Sequence, residues 1–193
     1  GNRLCVQCHK TQGETVAVRH APMVGDTGCQ ACHQPHAAKF PGLINREKSA
    51  LCYTCHAKTQ DALKDQIQHP PFVQGECDAC HNPHGSNMRH MVKDRLDKVC
   101  YGCHTDAEAK FLKTYTHKPV ADAQCDGCHA PHGAAEKQLL KAADGKLCVT
   151  CHADFMREIP GGVNHMPFTS GMCLSCHDAH GSNLRGMVSK PLG

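Results

Sequence analysis

His69-Pro70-Pro71-Phe72-Val73-Gln74-Gly75-Glu76-Cys77-Asp78-Ala79-Cys80-His81-Asn82-Pro83-His84-Gly85 is the stretch whose reading decides the fold. At its centre is a Cys-x-x-Cys-His box. One further histidine precedes the box, and another follows three residues after the box histidine. The prolines are expected to hold the leading connection extended and to keep a helix from starting there. Working outward, the same box recurs along the whole chain. Its members are Cys5, Cys8 and His9; Cys29, Cys32 and His33; Cys52, Cys55 and His56; and Cys77, Cys80 and His81. Then come Cys100, Cys103 and His104; Cys125, Cys128 and His129; Cys148, Cys151 and His152; and Cys173, Cys176 and His177. These boxes hold all 16 cysteines of the 193 residues.

Paired cysteines also build zinc knuckles, thiol redox sites and disulfide frameworks. None of these needs a histidine immediately after the second cysteine, and a disulfide scaffold gives histidine no role. Only 17 residues are His, so eight coincidences would arise by chance on the order of once in 10^8. The spacing is that of covalent haem attachment. Two thiols add across the porphyrin vinyl groups, and the adjoining imidazole becomes the proximal iron ligand. Eight boxes therefore predict eight haem c groups, with the 16 cysteines as attachment points and His9, His33, His56, His81, His104, His129, His152 and His177 as proximal ligands.

The first cysteines of alternate boxes fall at 5, 52, 100 and 148, and those of the intervening boxes at 29, 77, 125 and 173. The unit is thus about 48 residues carrying two boxes. Four dihaem repeats are expected, roughly 1–45, 46–93, 94–141 and 142–193. Such units cannot bury their own faces, so they should stack into a single octahaem domain over 1–193.

Eight of the nine remaining histidines keep phase with the repeat. His20, His69, His117 and His165 lead a His-x-Pro motif before each second box, and His36, His84, His132 and His180 follow each second box by three residues. These eight are the expected distal ligands. Their number lets the chain satisfy all its haems alone. Each box-following histidine lies too close to its own proximal histidine to reach the other face of the same haem. It is expected to serve the first haem of its repeat, while the His-x-Pro histidine caps the second. His90 has no counterpart and is expected at the surface. The seven Met residues are rival sixth ligands, but they are read as out of phase with the repeat and hence as packing side chains.

Composition agrees. The chain has no Trp, three Tyr and five Phe, and its mean hydropathy is −0.47. So few large apolar side chains make a poor core. Macrocycles would supply it, and their thioether and iron bonds would restrict the unfolded chain as disulfides do. The formal charge of +3 becomes roughly −5 once propionates and ferric centres are counted. Basic side chains then pair with propionates rather than with nucleic acid. No apolar run approaches the ~18 residues of a membrane span.

Helix-forming composition covers Glu47–Lys58, Asp94–Lys113 and Glu136–Phe155, each containing a first box, while second boxes lie in Pro/Gly-rich loops. The expected fold is a multihaem cytochrome c of mostly loops and short α-helices, with little or no β structure and a quasi-linear haem chain.

From Cys5 to His180 the chain resembles the doubled Cys-x-x-Cys-His family of multihaem cytochromes c, whose pattern is His-x-Pro followed by Cys-x-x-Cys-His-x-Pro-His-Gly. It is similar in particular to the periplasmic subunit of outer-membrane porin–cytochrome conduits and to subunits of extracellular cytochrome filaments. It departs from the pattern at Ala37, where the other repeats have Gly, and at Ala179, which replaces Pro. The resemblance implies bis-histidine haems in alternating stacked and perpendicular pairs, and a role in respiratory electron export. Haem c is attached outside the bacterial cytoplasm, so the periplasm, the cell surface or the extracellular space is the expected location. The partners expected are other redox proteins, a porin, or further copies of the chain end to end. An electron carrier with no catalytic residues is the leading expectation. The alternative is a multihaem oxidoreductase acting on nitrite, hydroxylamine or a sulfur oxyanion, which needs a haem with an open position.

Overall fold

The computed structural model describes residues 2–25, 28–156 and 161–191. The chain divides into two compact units, Gly1–Val99 and Cys100–Gly193. Each spans about two of the four repeats.

Loops and short helices make up both units. The longest helix, Lys48–Leu63, has 16 residues and contains the box of Cys52. The Glu47 side chain caps its first turn by accepting from the Ala50 N–H at 3.2 Å. The remaining described α-helices have four to seven residues. Among the described residues strands are two residues long and no sheet has more than two of them. In the first unit Val18–Arg19 pairs antiparallel with Gly85–Ser86. In the second, Tyr115–Thr116 pairs the same way with Gly181–Ser182. No helix among the described residues is long and apolar enough to cross a membrane.

Three local expectations need correction. The stretch expected to be helical over Asp94–Lys113 is two helices, Leu96–Tyr101 and Thr105–Phe111, interrupted at His104 where ψ swings to 57°. Over Glu136–Phe155 only Asp144–Cys148 is α-helical. Gln138 and Leu139 there adopt φ of 53° and 57°, a left-handed pair that no α-helix accommodates. The His-x-Pro prolines also do not prevent helix formation. A single helical turn follows each of these histidines, at Ala21–Val24, Pro70–Val73, Lys118–Ala121 and Met166–Thr169. Proline sits in the first turn of each, where its missing N–H costs nothing and its fixed φ suits the helix.

The last three of these turns end in a shared way. Glu76 N–H reaches Pro71 C=O at 2.8 Å, Gln124 reaches Pro119 at 2.7 Å, and Met172 reaches Pro167 at 2.8 Å. The residue before each donor is left-handed: Gly75, Ala123 and Gly171, at φ 71°, 58° and 67°. This is the Schellman stop, and it turns the chain directly into the second box.

The peptide alone has almost no core. Among the described residues the buried apolar side chains are Ala123 and Ala134, whereas Leu4, Val24, Leu112 and Phe155 are each more than 70% exposed. The peptide by itself leaves these apolar side chains uncovered, as expected if the macrocycles are the interior.

Candidate haem sites

Each second box is closed by its own chain. His33, His81, His129 and His177 bridge antiparallel to Ile44, Val92, Leu140 and Val188. The residue after each box histidine donates to a carbonyl ten residues on from that histidine, as Asn82 N–H does to Met91 C=O at 2.8 Å. Between the two, the chain reverses through a pair of left-handed residues: Gly42 and Leu43, His90 and Met91, Gln138 and Leu139, and Gly186 and Met187. Two successive positive φ values make a tight reversal matched to strand twist. The turn also aims one carbonyl at the box histidine. Nδ1 of His33 donates to Gly42 C=O at 2.8 Å, and Nδ1 of His81, His129 and His177 donate to His90, Gln138 and Gly186 at 2.9 Å. A proton held on Nδ1 leaves the Nε2 lone pair free to bind a metal.

Opposite these rings stand other histidines. His33 faces His84 with ring centres 6.1 Å apart and planes 14° from parallel; His129 faces His180 at 6.1 Å and 9°. His20 and His56, and His117 and His152, stand 6.1 Å apart at 18° and 24°. This gap is too wide for stacking, as Phe111 shows by lying on His180 at 3.9 Å. It matches two metal–nitrogen bonds of about 2 Å each, with each nitrogen slightly off its ring centre. The residues present thus fit a six-coordinate iron between two imidazoles. In the first-box pairs the pinned ring is the His-x-Pro one. Nδ1 of His20 donates to Pro83 C=O at 2.8 Å and that of His117 to Ala179 C=O at 2.9 Å. Because the carbonyl does this work, Ala179 serves as well as a proline. Burial pushes the His84 and His180 rings toward the neutral form that a ligand must have.

The family model described as the doubled CXXCH motif matches residues 20–61, 69–109, 117–157 and 165–192. The chain belongs to this family. It is a multihaem c-type cytochrome, with haem covalently attached at its Cys-x-x-Cys-His boxes. The chain is also similar to the multiheme cytochrome MtrA of Shewanella baltica (strain OS185), with 33% identity over 69 residues. That match covers 36% of this chain and 21% of the relative.

For a doubled CXXCH cytochrome, the expected partner assignment shifts by one repeat. His84 faces the second-box His33 of the preceding repeat, not the first-box His56 of its own, and His20 faces His56 of the following repeat, not His33. The short helix after each His-x-Pro motif carries the chain away from that histidine before the second box begins. The sequence reading also missed the carbonyls that pin the rings. Their signal was the in-phase series Leu43, Met91, Leu139 and Met187, each ten residues beyond its box histidine. Two of the methionines therefore do recur, alternating with Leu in the turn, which makes them packing residues. The side chain of His90 is exposed, and its carbonyl is what touches the site.

The cysteines bring successive boxes of the cytochrome together. In three of the repeats the first cysteines meet: Cys29 hydrogen-bonds with Cys5, Cys52 with Cys77, and Cys148 with Cys173. Inside each unit a second cysteine also nears one of the adjoining repeat, Cys55 beside Cys32 and Cys151 beside Cys128. Asp144 joins Cys148 and Cys173 within 4.8 Å, a trio that could hold zinc. The same position in the other repeats carries no acid, so no recurring zinc site follows.

Proposed function

We propose that the chain is an electron conductor carrying eight haem c groups, each held between two histidines. Proximal ligands are His9, His33, His56, His81, His104, His129, His152 and His177. Distal ligands are His20, His36, His69, His84, His117, His132, His165 and His180. The observation that carries this reading is the set of facing imidazoles at metal-spanning separation. When bound, haem supplies an iron that cycles between ferric and ferrous. A histidine on each side of the iron would keep substrate off the metal and keep its coordination the same in both states. The pinned Nδ1 protons raise ligand basicity and fix ring orientation.

Within each unit, contacts through first and second cysteines bring neighbouring boxes together, so an electron entering at one haem finds the next at short range. This supports conduction over substrate conversion, and no catalytic residues are assigned. Haem c is attached outside the bacterial cytoplasm, which supports a place there, in respiratory electron export with other redox proteins, a porin or further copies as partners. Mass spectrometry of the holoprotein should find eight haems. Low-temperature EPR should find only low-spin ferric iron; a substantial high-spin share that binds nitrite or cyanide would sink the conductor reading.

A further inference from the structure

The residue four before a first box changes charge along the chain: Lys48 before Cys52, Leu96 before Cys100 and Asp144 before Cys148. In the second repeat Lys48 Nζ reaches Asp78 Oδ2, beside Cys77, at 2.7 Å, so the two charges cancel. The fourth repeat reverses this arrangement. Asp144 stands in the place of Lys48, and Leu174 in the place of Asp78. Among the described residues no ion pair holds Asp144. Its hydrogen-bond partners are the Cys148 thiol at 3.7 Å and the Leu174 N–H at 3.3 Å. Lys146 is exposed and lies two residues on, where a helical side chain faces elsewhere.

The local fold presses this carboxylate against both boxes of its repeat. Gly145 takes the place of Ser49. A Cβ on Gly145 would lie 2.7 Å from Cα and O of Gly171, the glycine that stops the Met166–Thr169 turn. Without that Cβ, the start of the Asp144–Cys148 helix closes onto the entry to the second box. An Asp144 oxygen, Cys148 Sγ and Cys173 Sγ then fall within 4.8 Å of one another. Haem attachment forms a carbon–sulfur bond and moves the thiol proton to the neighbouring vinyl carbon. Asp144 thereby loses its S–H donor and faces a thioether, while the Leu174 N–H still holds it. Half-buried, such a charge is weakly screened.

A fixed negative charge favours the ferric centre, which carries one more positive charge than the ferrous one. We infer that Asp144 lowers the reduction potential of both haems of the fourth repeat, those on Cys148 and Cys173. The paired charges of Lys48 and Asp78 exert no such bias in the second repeat. This rests on the octahaem conductor reading above. A charge roughly 10 Å from an iron, at an effective dielectric of about 20, shifts its reduction on the order of tenfold. An electron placed on the fourth-repeat pair is then passed on more readily than it is held, which gives conduction through the unit a direction.

The test is a potentiometric titration of the holoprotein followed at the haem bands, with haems counted by mass spectrometry and spin state read by EPR. Asp144→Asn should ease reduction of about two haems in eight on the order of tenfold, which is about 59 mV for one electron, and leave the rest in place. Asp144→Glu keeps the charge and should keep the wild-type curve. Leu174→Lys, at a side chain that is 45% exposed, leaves Asp144 present and should neutralise it, raising the same quarter of the titration. This variant decides the matter where Asp144→Asn fails to load haem. A curve unmoved by Leu174→Lys would overturn the inference, as would a uniform shift of all eight haems. Lost stability with unchanged potentials would overturn it equally, leaving Asp144 only its place in the first turn of its helix, where an acid suits the dipole. Eight low-spin haems in the wild type keep the conductor reading intact whichever way the potentials fall, whereas a missing or high-spin haem there breaks that reading by itself.

Discussion

First-box and second-box sites reach the same ligand geometry by different routes. Every observed pair has one imidazole whose Nδ1 is fixed by a carbonyl. At second boxes the acceptor is nine residues away in the same loop, as Gln138 is from His129. At first boxes it is 63 residues away for His20 and 62 for His117, in the following repeat. Second-box sites are therefore half-built by local chain chemistry, whereas first-box sites exist only when two repeats sit in register. The strand pairs Val18–Arg19 with Gly85–Ser86, and Tyr115–Thr116 with Gly181–Ser182, set that register.

The largest expected effect comes from breaking the register. Gly85 has φ 130°, and a Cβ there would stand 2.7 Å from Val18 O and 3.0 Å from Arg19 Cα. Gly85→Val should cost the first unit about 2–4 kcal/mol and loosen the His20 and His56 site. Denaturation with haem-resolved EPR checks this; unchanged stability would mean that the strand pair does not hold His20.

Next is the ion pair at the entrance to the first box of Cys100. Asp97 is only 7% exposed, and it accepts from Arg95 Nε at 2.8 Å and from the other guanidinium nitrogen at 2.5 Å. The Arg95 hydrogen bonds hold its carboxyl below the usual range, while burial works the other way. A lowered folded value means the contribution is present above the unfolded carboxylate pKa of about 3.9 and is lost as pH falls through the folded one. Asp97→Asn should cost about 1–3 kcal/mol near neutrality. In acid the difference between variant and wild type should vanish. A constant gap across pH titrations of stability would place the effect elsewhere.

The legible and illegible parts of the sequence divide along the same line. The eight boxes, the phased histidines, the shortage of core and the loop-rich fold were all open to reading, because covalent attachment fixes residue type and spacing. Partner choice was not. Both His36-type and His20-type ligands lie near two boxes in sequence, and only the strand pairs decide that they bind across repeats. Helix within Glu136–Phe155 was misread because helix-forming composition says nothing of a left-handed pair at Gln138 and Leu139. That reversal is demanded by the carbonyl needed at His129, a tertiary requirement with a weak sequence trace.

The local route should be more forgiving. His90 sits at φ 56°, where Asn is tolerated and a β-branched residue is not. His90→Val should cost about 1–2 kcal/mol, and it should raise the potential of the haem on His81 by misaligning the carbonyl that polarises the ring. His90→Asn should do neither. Equal effects from both would mean that the imidazole of His90, rather than its backbone, matters.

The smallest change is a gain. Gly75 and Gly171 end their helical turns at φ 71° and 67°, but the third repeat uses Ala123 at φ 58°, buried to 5% exposure. An alanine methyl in the left-handed region is strained, and glycine relieves that strain while adding freedom to the unfolded chain. Strain relief is the larger of the two here, because 1–2 kcal/mol is the usual left-handed cost and glycine returns roughly 0.5–1 of it. The lost methyl leaves little void, since the stop is held by backbone bonds from Ala123 to Val120 at 3.0 Å and from Gln124 to Pro119 at 2.7 Å. Ala123→Gly should therefore stabilise the second unit by about 0.5 kcal/mol, read as a small rise in denaturation midpoint with unchanged slope. A loss instead would mean that the methyl packs against its surroundings more strongly than the turn strains it.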